Sequence, residues 1–489
     1  MNNSKSLVVK GLFWSSVQLV VNTSFTFIIR LVLAKILFPE EFGLVGMATV
    51  LTGFIKVLND LGIGAALVQR KDEELRREHF HTAFWTGVGW SVFLFLIMSF
   101  IVGPLAASFY EEPILKSLIP VLSLGILSSP VNLVHKAQLM RNMDFKKIAF
   151  IDNTANFVTG IIAIILAFWG AGVWSLVFNS VVSIVIAMPL YFRATKWYPS
   201  FIWDRLAFKQ VFGFGVFTTG TSVVNYIIGN IDYLVIGKLI SAEALGAYTF
   251  AFILTDTFRS RLMTVVNNVM YPVYGKKQSD PSSLKNYYLK IVNYNSVIIF
   301  PLMSCFIILG EPIVINIFGE KWSDSVMPLK LLSLSVMVHM MVNSNTSLIR
   351  GIGKPGLELK LQIFKAVIFV PMLIVGIYKY GIIGAATAVL INKVIAVIIA
   401  QYTFNKLIDI KISTTEFLSA IKVPWIASLF CILLAYCSYN LLGFHYIVAA
   451  GILVLSYAIT IWLFMGKEIK AQIQEYKKKK SANHEENTL

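Results

Sequence analysis

Apolar segments of about 20 residues follow one another along almost the whole chain, and short breaks with charges, proline or glycine separate them. A helix of about 20 apolar residues crosses the hydrocarbon core of a bilayer. The pattern predicts an all-α integral membrane protein with about 14 transmembrane helices. The predicted spans are 11–34, 42–68, 82–109, 114–135, 148–168, 172–192, 210–237, 244–272, 286–309, 326–349, 357–377, 381–404, 421–440 and 446–465.

The composition excludes a soluble enzyme. Of the 489 residues, 57% are hydrophobic and 14% are charged, whereas about a quarter of the residues in a soluble domain are charged. The connections are too short to hold a separate domain. The three cysteines, Cys305, Cys431 and Cys437, lie in apolar segments without metal-ligand spacing. No metal, cofactor or catalytic residue is therefore predicted.

Lysine and arginine are concentrated in every second connection between the predicted spans. With the N-terminus inside, the inner segments carry 29 of them and the outer segments carry 5. Because short loops rich in these residues stay cytoplasmic, both termini are predicted to be cytoplasmic and the number of helices even. The net charge of +16 then reflects topology and attraction to membrane lipids, and it needs no nucleic acid partner.

An internal repeat suggests how the helices are grouped. Residues 35–51 align without gaps to residues 238–254, with five identities that include Gly43 with Gly246. A weaker match pairs Gly172 with Gly381. The repeat predicts two parallel six-helix lobes related by an axis along the membrane normal, followed by two further helices. The predicted parts are an N-terminal lobe 1–193, a cytoplasmic linker 194–209, a C-terminal lobe 210–404, two additional helices in 405–465 and a basic cytoplasmic tail 466–489.

The opening KGLFWSSVQLVVNTSFTFIIRLVLAKILFPEEFGLVGMATVLTGFIKVLNDLGIGAALVQR and the later GIGKPGLELKLQIF resemble a known family. They are similar to the polysaccharide transport family of the multidrug/oligosaccharidyl-lipid/polysaccharide flippase superfamily. The likeness runs over about residues 5–465 and is closest to Wzx-type O-antigen and colanic-acid exporters.

This resemblance implies a V-shaped pair of lobes around a partly cationic cavity. It implies that an undecaprenyl-pyrophosphate-linked oligosaccharide moves from the cytoplasmic to the periplasmic leaflet of a bacterial inner membrane by alternating access. The product would be O-antigen, capsule or exopolysaccharide, and the implied protein partners are a polysaccharide polymerase and its chain-length machinery. The coupling ion, H⁺ or Na⁺, stays open, as does the glycan.

Three other functions are weighed against this one. A membrane glycosyltransferase would add a soluble region or a nucleotide-sugar motif, and neither occurs in the sequence. A cation-coupled multidrug exporter of the same superfamily would have about twelve helices and a cavity rich in acids. A flippase for the peptidoglycan lipid precursor shares the fourteen-helix plan, so it remains an alternative.

Ionisable residues within the spans are the candidate substrate-binding residues. Each costs at least about 2.5 kcal/mol in hydrocarbon, so it is expected to face a cavity or a partner. The candidates are Arg30, Lys56, Asp60, Asp232, Asp256, Arg259, Lys365 and Lys393.

The repeat matches Lys56 with Arg259, a pair able to hold a pyrophosphate from two sides. The alternative is neutralisation within each helix, because Lys56 and Asp60 are four residues apart and Asp256 and Arg259 are three apart.

The remaining candidates also have two interpretations. Asp232 is expected either to contact sugar hydroxyls or a coupling ion, or to form an interhelical hydrogen bond. Lys365 and Lys393 have no acid three or four positions away, which favours a cavity. Arg30 lies near the outer end of its helix, where it would line a cavity or reach the interface. His339 is either a proton relay or a hydrogen-bonded packing residue.

Overall fold

A computed structural model describes residues 2–60, 63–70, 75–408 and 410–485 of the chain. The elements in these ranges are helices, and no strand occurs among the described residues. Within the same ranges, 11 helical stretches are long and apolar enough to cross a membrane. The all-α membrane class is therefore confirmed, while the count of about 14 spans stays a prediction.

The helices fall into two compact units. The first unit comprises the residues up to Ile253 together with Ile377–Ala385, and the second comprises Leu254–Gly376 and the residues from Ala386 onward. The helices that begin in the first unit are α1 Asn2–Ile36, α2 Pro39–Asp60, α3 Ile63–Gln69, α4 Arg77–Ile97, α5 Gly103–Tyr110, α6 Leu115–Leu127, α7 Ser129–Arg141, α8 Phe145–Phe168, α9 Val173–Thr195, α10 Arg205–Leu239 and α11 Ala242–Lys276. The remaining helices are α12 Pro281–Phe318, α13 Val326–Met340, α14 Asn345–Gly351, α15 Pro355–Tyr402, α16 Thr414–Tyr436 and α17 Tyr446–Glu485.

Several predicted spans contain breaks that hydropathy does not show. The predicted span 114–135 divides at Ser128 into α6 and α7, and Pro130 is the second residue of α7. Proline lacks the N–H that would continue the helix, so it is tolerated only in the first turn without disrupting the ladder. The predicted span 326–349 is likewise interrupted by a turn at 341–344 between α13 and α14.

Polar caps fix several helix starts that the charge pattern predicts to be cytoplasmic. The side chains of Asp144, Asp204 and Asp280 accept hydrogen bonds from backbone N–H groups three residues on, at the starts of α8, α10 and α12. Each bond satisfies a donor that the first helical turn leaves unpaired. Hydrogen bonds from the Ser283 hydroxyl and backbone N–H lower the pKa of Asp280, so its carboxylate stays charged as a cap.

Two repeat-related glycines share one unusual backbone conformation. Gly172, which caps the start of α9, has φ 56° and ψ −130°. Gly381, which interrupts α15, has φ 57° and ψ −140°. A side chain at either position would strain the backbone, because L-residues rarely adopt this region. The weaker sequence match, Gly172 with Gly381, therefore pairs two positions that have the same backbone conformation.

The stronger match corresponds to a reciprocal contact inside the first unit. A Cβ atom on Gly43 of α2 would overlap the carbonyl oxygen of Ala242 at the start of α11. A Cβ atom on Gly246 of α11 would overlap the carbonyl oxygen of Pro39 at the start of α2. Positions 39 and 43 are the repeat partners of 242 and 246, so the contact has the form of a two-fold interface. The lobe boundaries given above stay a prediction.

Candidate functional site

Three cations lie within electrostatic range of one histidine in the second unit. Arg259 lies on α11, His339 on α13, and Lys365 and Lys393 on the two parts of α15. The charges of Lys393, Arg259 and Lys365 all act on the ring of His339. These four residues are called the cation cluster below. The structure thus brings together three of the predicted site residues, which come from two helices and are up to 134 positions apart in the chain.

Arg259 is held by an acid of its own helix. Its Nε donates to Oδ1 of Asp256 at 2.7 Å, and its Nη2 contacts the same oxygen. The side chains of Arg259 and Asp256 are 18% and 19% exposed. The pairing within one helix is therefore present, and it orients the guanidinium while offsetting part of its charge.

The charge of Lys365 is not paired with an acid of its own helix in the way that Asp256 pairs with Arg259. It forms no ion pair with a residue in the described part of the chain, although the charge of Glu358 reaches it. That carboxylate is already engaged, because Arg350 donates from Nη2 to its Oε1 at 2.9 Å and Gln362 donates to the same oxygen at 3.0 Å. The partly buried Lys365 therefore adds to the cluster a cation that no acid among the described residues pairs with directly.

Polar atoms near the cluster in sequence lack hydrogen-bond partners. His339 Nδ1, Asn343 Nδ2 and Asn392 Oδ1 are buried and have no partner among the described residues. A buried polar group without a partner costs about 1–3 kcal/mol. Three such atoms within four residues of a cluster member indicate that this region meets water or a polar ligand.

The candidates in the first unit are less concentrated. Lys56 on α2 is exposed, and no ion pair joins it to another residue that the structure describes. Asp60 ends α2, but its side chain lies outside the described residues, so the proposed Lys56–Asp60 pair stays a prediction. Arg30 is exposed on α1. The match between Lys56 and Arg259 also stays a prediction.

Asp232 takes part in an interhelical hydrogen bond. Its side chain is buried, and its Oδ2 accepts a hydrogen bond from Tyr248 Oη at 2.9 Å. Its Oδ1 accepts from the backbone N–H of Tyr233 at 3.0 Å. The bond to Tyr248 joins α10 to α11. It is the kind of interhelical hydrogen bond that the sequence analysis gave as one of two interpretations of Asp232.

Asp152 on α8 is a polar centre that is not among the predicted substrate-binding residues. Its carboxylate accepts hydrogen bonds from Gln18 Nε2 at 2.7 Å, Lys136 Nζ at 2.9 Å and Tyr191 Oη at 2.7 Å. The donors belong to α1, α7 and α9, so the contacts tie four helices together. No sequence signal identifies these donors, because they are 134, 16 and 39 positions away.

Comparison with known proteins decides the family. A family model described as "Polysaccharide biosynthesis protein" matches residues 32–327, which is more than half of the chain. The chain belongs to this polysaccharide biosynthesis protein family. The resemblance stated from the sequence is thereby confirmed.

Relatives of this family member carry related descriptions. The lipopolysaccharide biosynthesis protein WzxC of Escherichia coli K12 is 24% identical over 430 residues, which cover 88% of this chain and 87% of WzxC. The succinoglycan biosynthesis transport protein ExoT of Rhizobium meliloti is 26% identical, over 72% of this chain and 70% of ExoT.

A solved structure shows the same fold. The lipid II flippase MurJ in an inward closed conformation matches with a TM-score of 0.71 at 16% identity, over 94% of this chain and all of the MurJ chain. At this identity the likeness supports the fold of the polysaccharide biosynthesis family member and says nothing about its substrate.

Proposed function

We propose that this protein is a flippase that moves undecaprenyl-pyrophosphate-linked oligosaccharide units from the cytoplasmic to the periplasmic leaflet of a bacterial inner membrane. The observation that carries the proposal is the cation cluster, in which His339, Lys365 and Lys393 lie in stretches long and apolar enough to cross a membrane. The family membership and the transport description of a relative support the same reading.

The chemistry of the cluster suits a pyrophosphate. Cations in hydrocarbon are expensive, and they are kept where they meet an anion or water during function. Lys365 and Lys393, both partly buried, supply point charges, while the guanidinium of Arg259 supplies several donors in one plane. A diphosphate diester offers anionic oxygens on both phosphorus atoms. Neutral sugars and the polyprenyl chain offer nothing that would offset the cost of these cations.

Alternating access completes the proposed mechanism. The headgroup would bind the cation cluster while the site is open to the cytoplasm, and a movement of the two predicted lobes would then open it to the periplasm. No covalent step is required, so the protein acts as a transporter and makes no bond. The glycan and the coupling ion, H⁺ or Na⁺, are not specified by these residues.

A genetic experiment tests the function. The gene is deleted in its native bacterium, and lipid-linked oligosaccharide in the inner membrane is measured together with polysaccharide on the cell surface. The proposal expects surface polymer to disappear while the lipid-linked glycan accumulates on the cytoplasmic side. Unchanged surface glycan with increased drug sensitivity would support a multidrug exporter, and lysis with accumulated peptidoglycan precursor would support that precursor as the substrate.

A complementation experiment tests the site. Lys365→Gln and Lys393→Gln together are expected to lower surface polymer about tenfold or more at normal protein abundance, because a lost charge-assisted contact is worth about 1.5–3 kcal/mol. The matched control is Lys379→Gln, which removes an exposed lysine from the same helix, α15. Full activity of the double variant would show that the headgroup binds elsewhere.

A further inference from the structure

Residues 196–204, with the sequence KWYPSFIWD, connect α9 to α10 and form neither helix nor strand. We call them the aromatic loop, because four of these nine residues are aromatic. The loop begins one residue after Thr195, which ends a stretch able to span the membrane. The loop is therefore expected at the level of the membrane surface.

Hydrogen bonds fix the backbone of the aromatic loop against α4. The carbonyl oxygen of Ser200 accepts a hydrogen bond from Trp85 Nε1 at 2.8 Å, and its N–H donates to His81 Nδ1 at 2.9 Å. The N–H of Asp204 donates to Thr82 Oγ1 at 3.0 Å. These partners lie on adjacent turns of one helix, so the loop has a defined shape.

The side chains of the loop divide into a buried and an exposed set. Trp197 packs inward, with its ring stacked on His81 at 5.1 Å and edge-on to His135 at 5.3 Å. Phe201 and Tyr198 point outward and are 90% and 68% exposed. Phe201 is nevertheless held, because its ring stacks on Trp85 at 4.3 Å. The fold thus presents rigid aromatic rings on its outer surface, which is unusual for a loop in water.

Positive charges accompany these exposed rings. Arg193, Lys196, Arg205 and Lys209 are all exposed in or beside the aromatic loop. The one acid of the loop, Asp204, is used as the cap of α10 through the N–H of Ala207 at 2.6 Å. Aromatic rings with polar neighbours prefer the headgroup region of a bilayer. Each Lys or Arg near an anionic leaflet adds about 1 kcal/mol of attraction.

We infer that the aromatic loop is an interfacial anchor that binds an anionic membrane surface. Phe201 and Tyr198 lie among the glycerol and upper acyl groups, and the four cations contact lipid phosphates. A soluble protein partner fits less well, because the loop starts directly at the end of a membrane span and its cations match the charge of the leaflet. The inference is independent of the transported substrate.

Site-directed fluorescence in the full-length protein tests this inference. Cys305, Cys431 and Cys437 are replaced by alanine, and Phe201→Cys is labelled with an environment-sensitive fluorophore. The labelled protein is reconstituted into vesicles of phosphatidylglycerol and phosphatidylethanolamine. The matched control is Ser282→Cys, an exposed polar position in the 276–285 connection, which is predicted to lie on the same side of the membrane.

The inference expects brominated phospholipids to quench the label at position 201 about threefold more than the label at 282, with a blue-shifted emission. It also expects Lys196→Gln with Arg205→Gln to reduce that quenching in these vesicles but not in phosphatidylcholine vesicles. Quenching at 201 by aqueous iodide rather than by brominated lipid would overturn the inference and leave a protein partner as the explanation. Equal quenching by brominated lipid at 201 and 282 would overturn it as well.

Discussion

Asp152 in the first unit and the cation cluster in the second unit are both charged centres inside a membrane protein, yet they differ in how their charges are satisfied. Asp152 accepts three hydrogen bonds from three other helices, one of them from a cation. The cation cluster gathers Arg259, Lys365 and Lys393 around one histidine, with one acid directly paired to Arg259.

The difference separates a structural charge from a functional one. A buried charge with a full set of partners holds helices together, and removing it leaves its partners uncompensated. A group of like charges in one place lowers stability, and it persists where a ligand supplies the opposite charge. The two centres are therefore expected to respond to substitution with changes of opposite sign in stability.

The largest effect is expected at the structural centre. Asp152→Ala should lower the free energy of unfolding by about 3 kcal/mol, because Lys136, Gln18 and Tyr191 lose their acceptor together. The thermal unfolding midpoint in detergent measures the change, with Tyr191→Phe as a milder variant that removes one donor. A variant as stable as the original chain, but inactive in transport, would place Asp152 with the functional charges instead.

The next effect concerns the helix crossing in the first unit. Gly43→Ala should destabilise the chain by about 2 kcal/mol, because the added methyl group overlaps the Ala242 carbonyl and forces α2 away from α11. Gly246→Ala should have a similar cost from the reciprocal position. The control is Gly46→Ala, where the nearest side-chain atom is 3.5 Å from the new Cβ. Unequal costs at 43 and 246 would argue against a symmetric contact.

A smaller effect of the opposite sign is expected at the cation cluster. Lys365→Met should raise the free energy of unfolding by about 1 kcal/mol while transport is lost, since it removes a cation with little compensation and keeps the length of the side chain. Thermal unfolding and surface polymer are measured on the same variant. Destabilisation by Lys365→Met would show that this lysine holds the fold, as Asp152 does.

The smallest effect is expected at an exposed ion pair. Lys238 Nζ lies 3.0 Å from Glu111 Oε1, and the Glu111 side chain is 81% exposed. Glu111→Gln should change the free energy of unfolding by less than about 0.5 kcal/mol, because water already screens this pair. The thermal unfolding midpoint of this variant in detergent gives the effect of losing an exposed ion pair, with which the Asp152 variants are compared. A loss as large as that of Asp152→Ala would mean that burial does not explain the difference.

Much of this arrangement could be predicted from the sequence, because several of its features depend on residues that are close together in the chain or on a direct comparison of two segments. Hydropathy is local, so it predicted the membrane class and the approximate spans. The repeat compares two segments, so it pointed to Gly43 with Gly246 and to Gly172 with Gly381. The mid-helix positions of Lys365 and Lys393 without nearby acids marked two members of the cation cluster.

Other features depend on contacts between distant parts of the chain. The donors of Asp152 come from three helices, and no spacing rule relates Gln18 or Tyr191 to it. The grouping of Arg259 with Lys365 and Lys393 depends on how α11 packs with α15. Hydropathy alone does not show the break at Ser128, because it stays high on both sides, but Pro130 inside the apolar span predicts a bend there.

The reciprocal contact of Gly43 and Gly246 also bears on ancestry. If a half-length ancestor assembled as a parallel homodimer, one glycine in its gene would have formed both contacts about a true two-fold axis. Duplication and fusion of its gene would then have given each of the two glycines a codon of its own. After such an event a change at either glycine would alter one contact only, so the reciprocal contact is what a symmetric dimer would leave behind in a single chain.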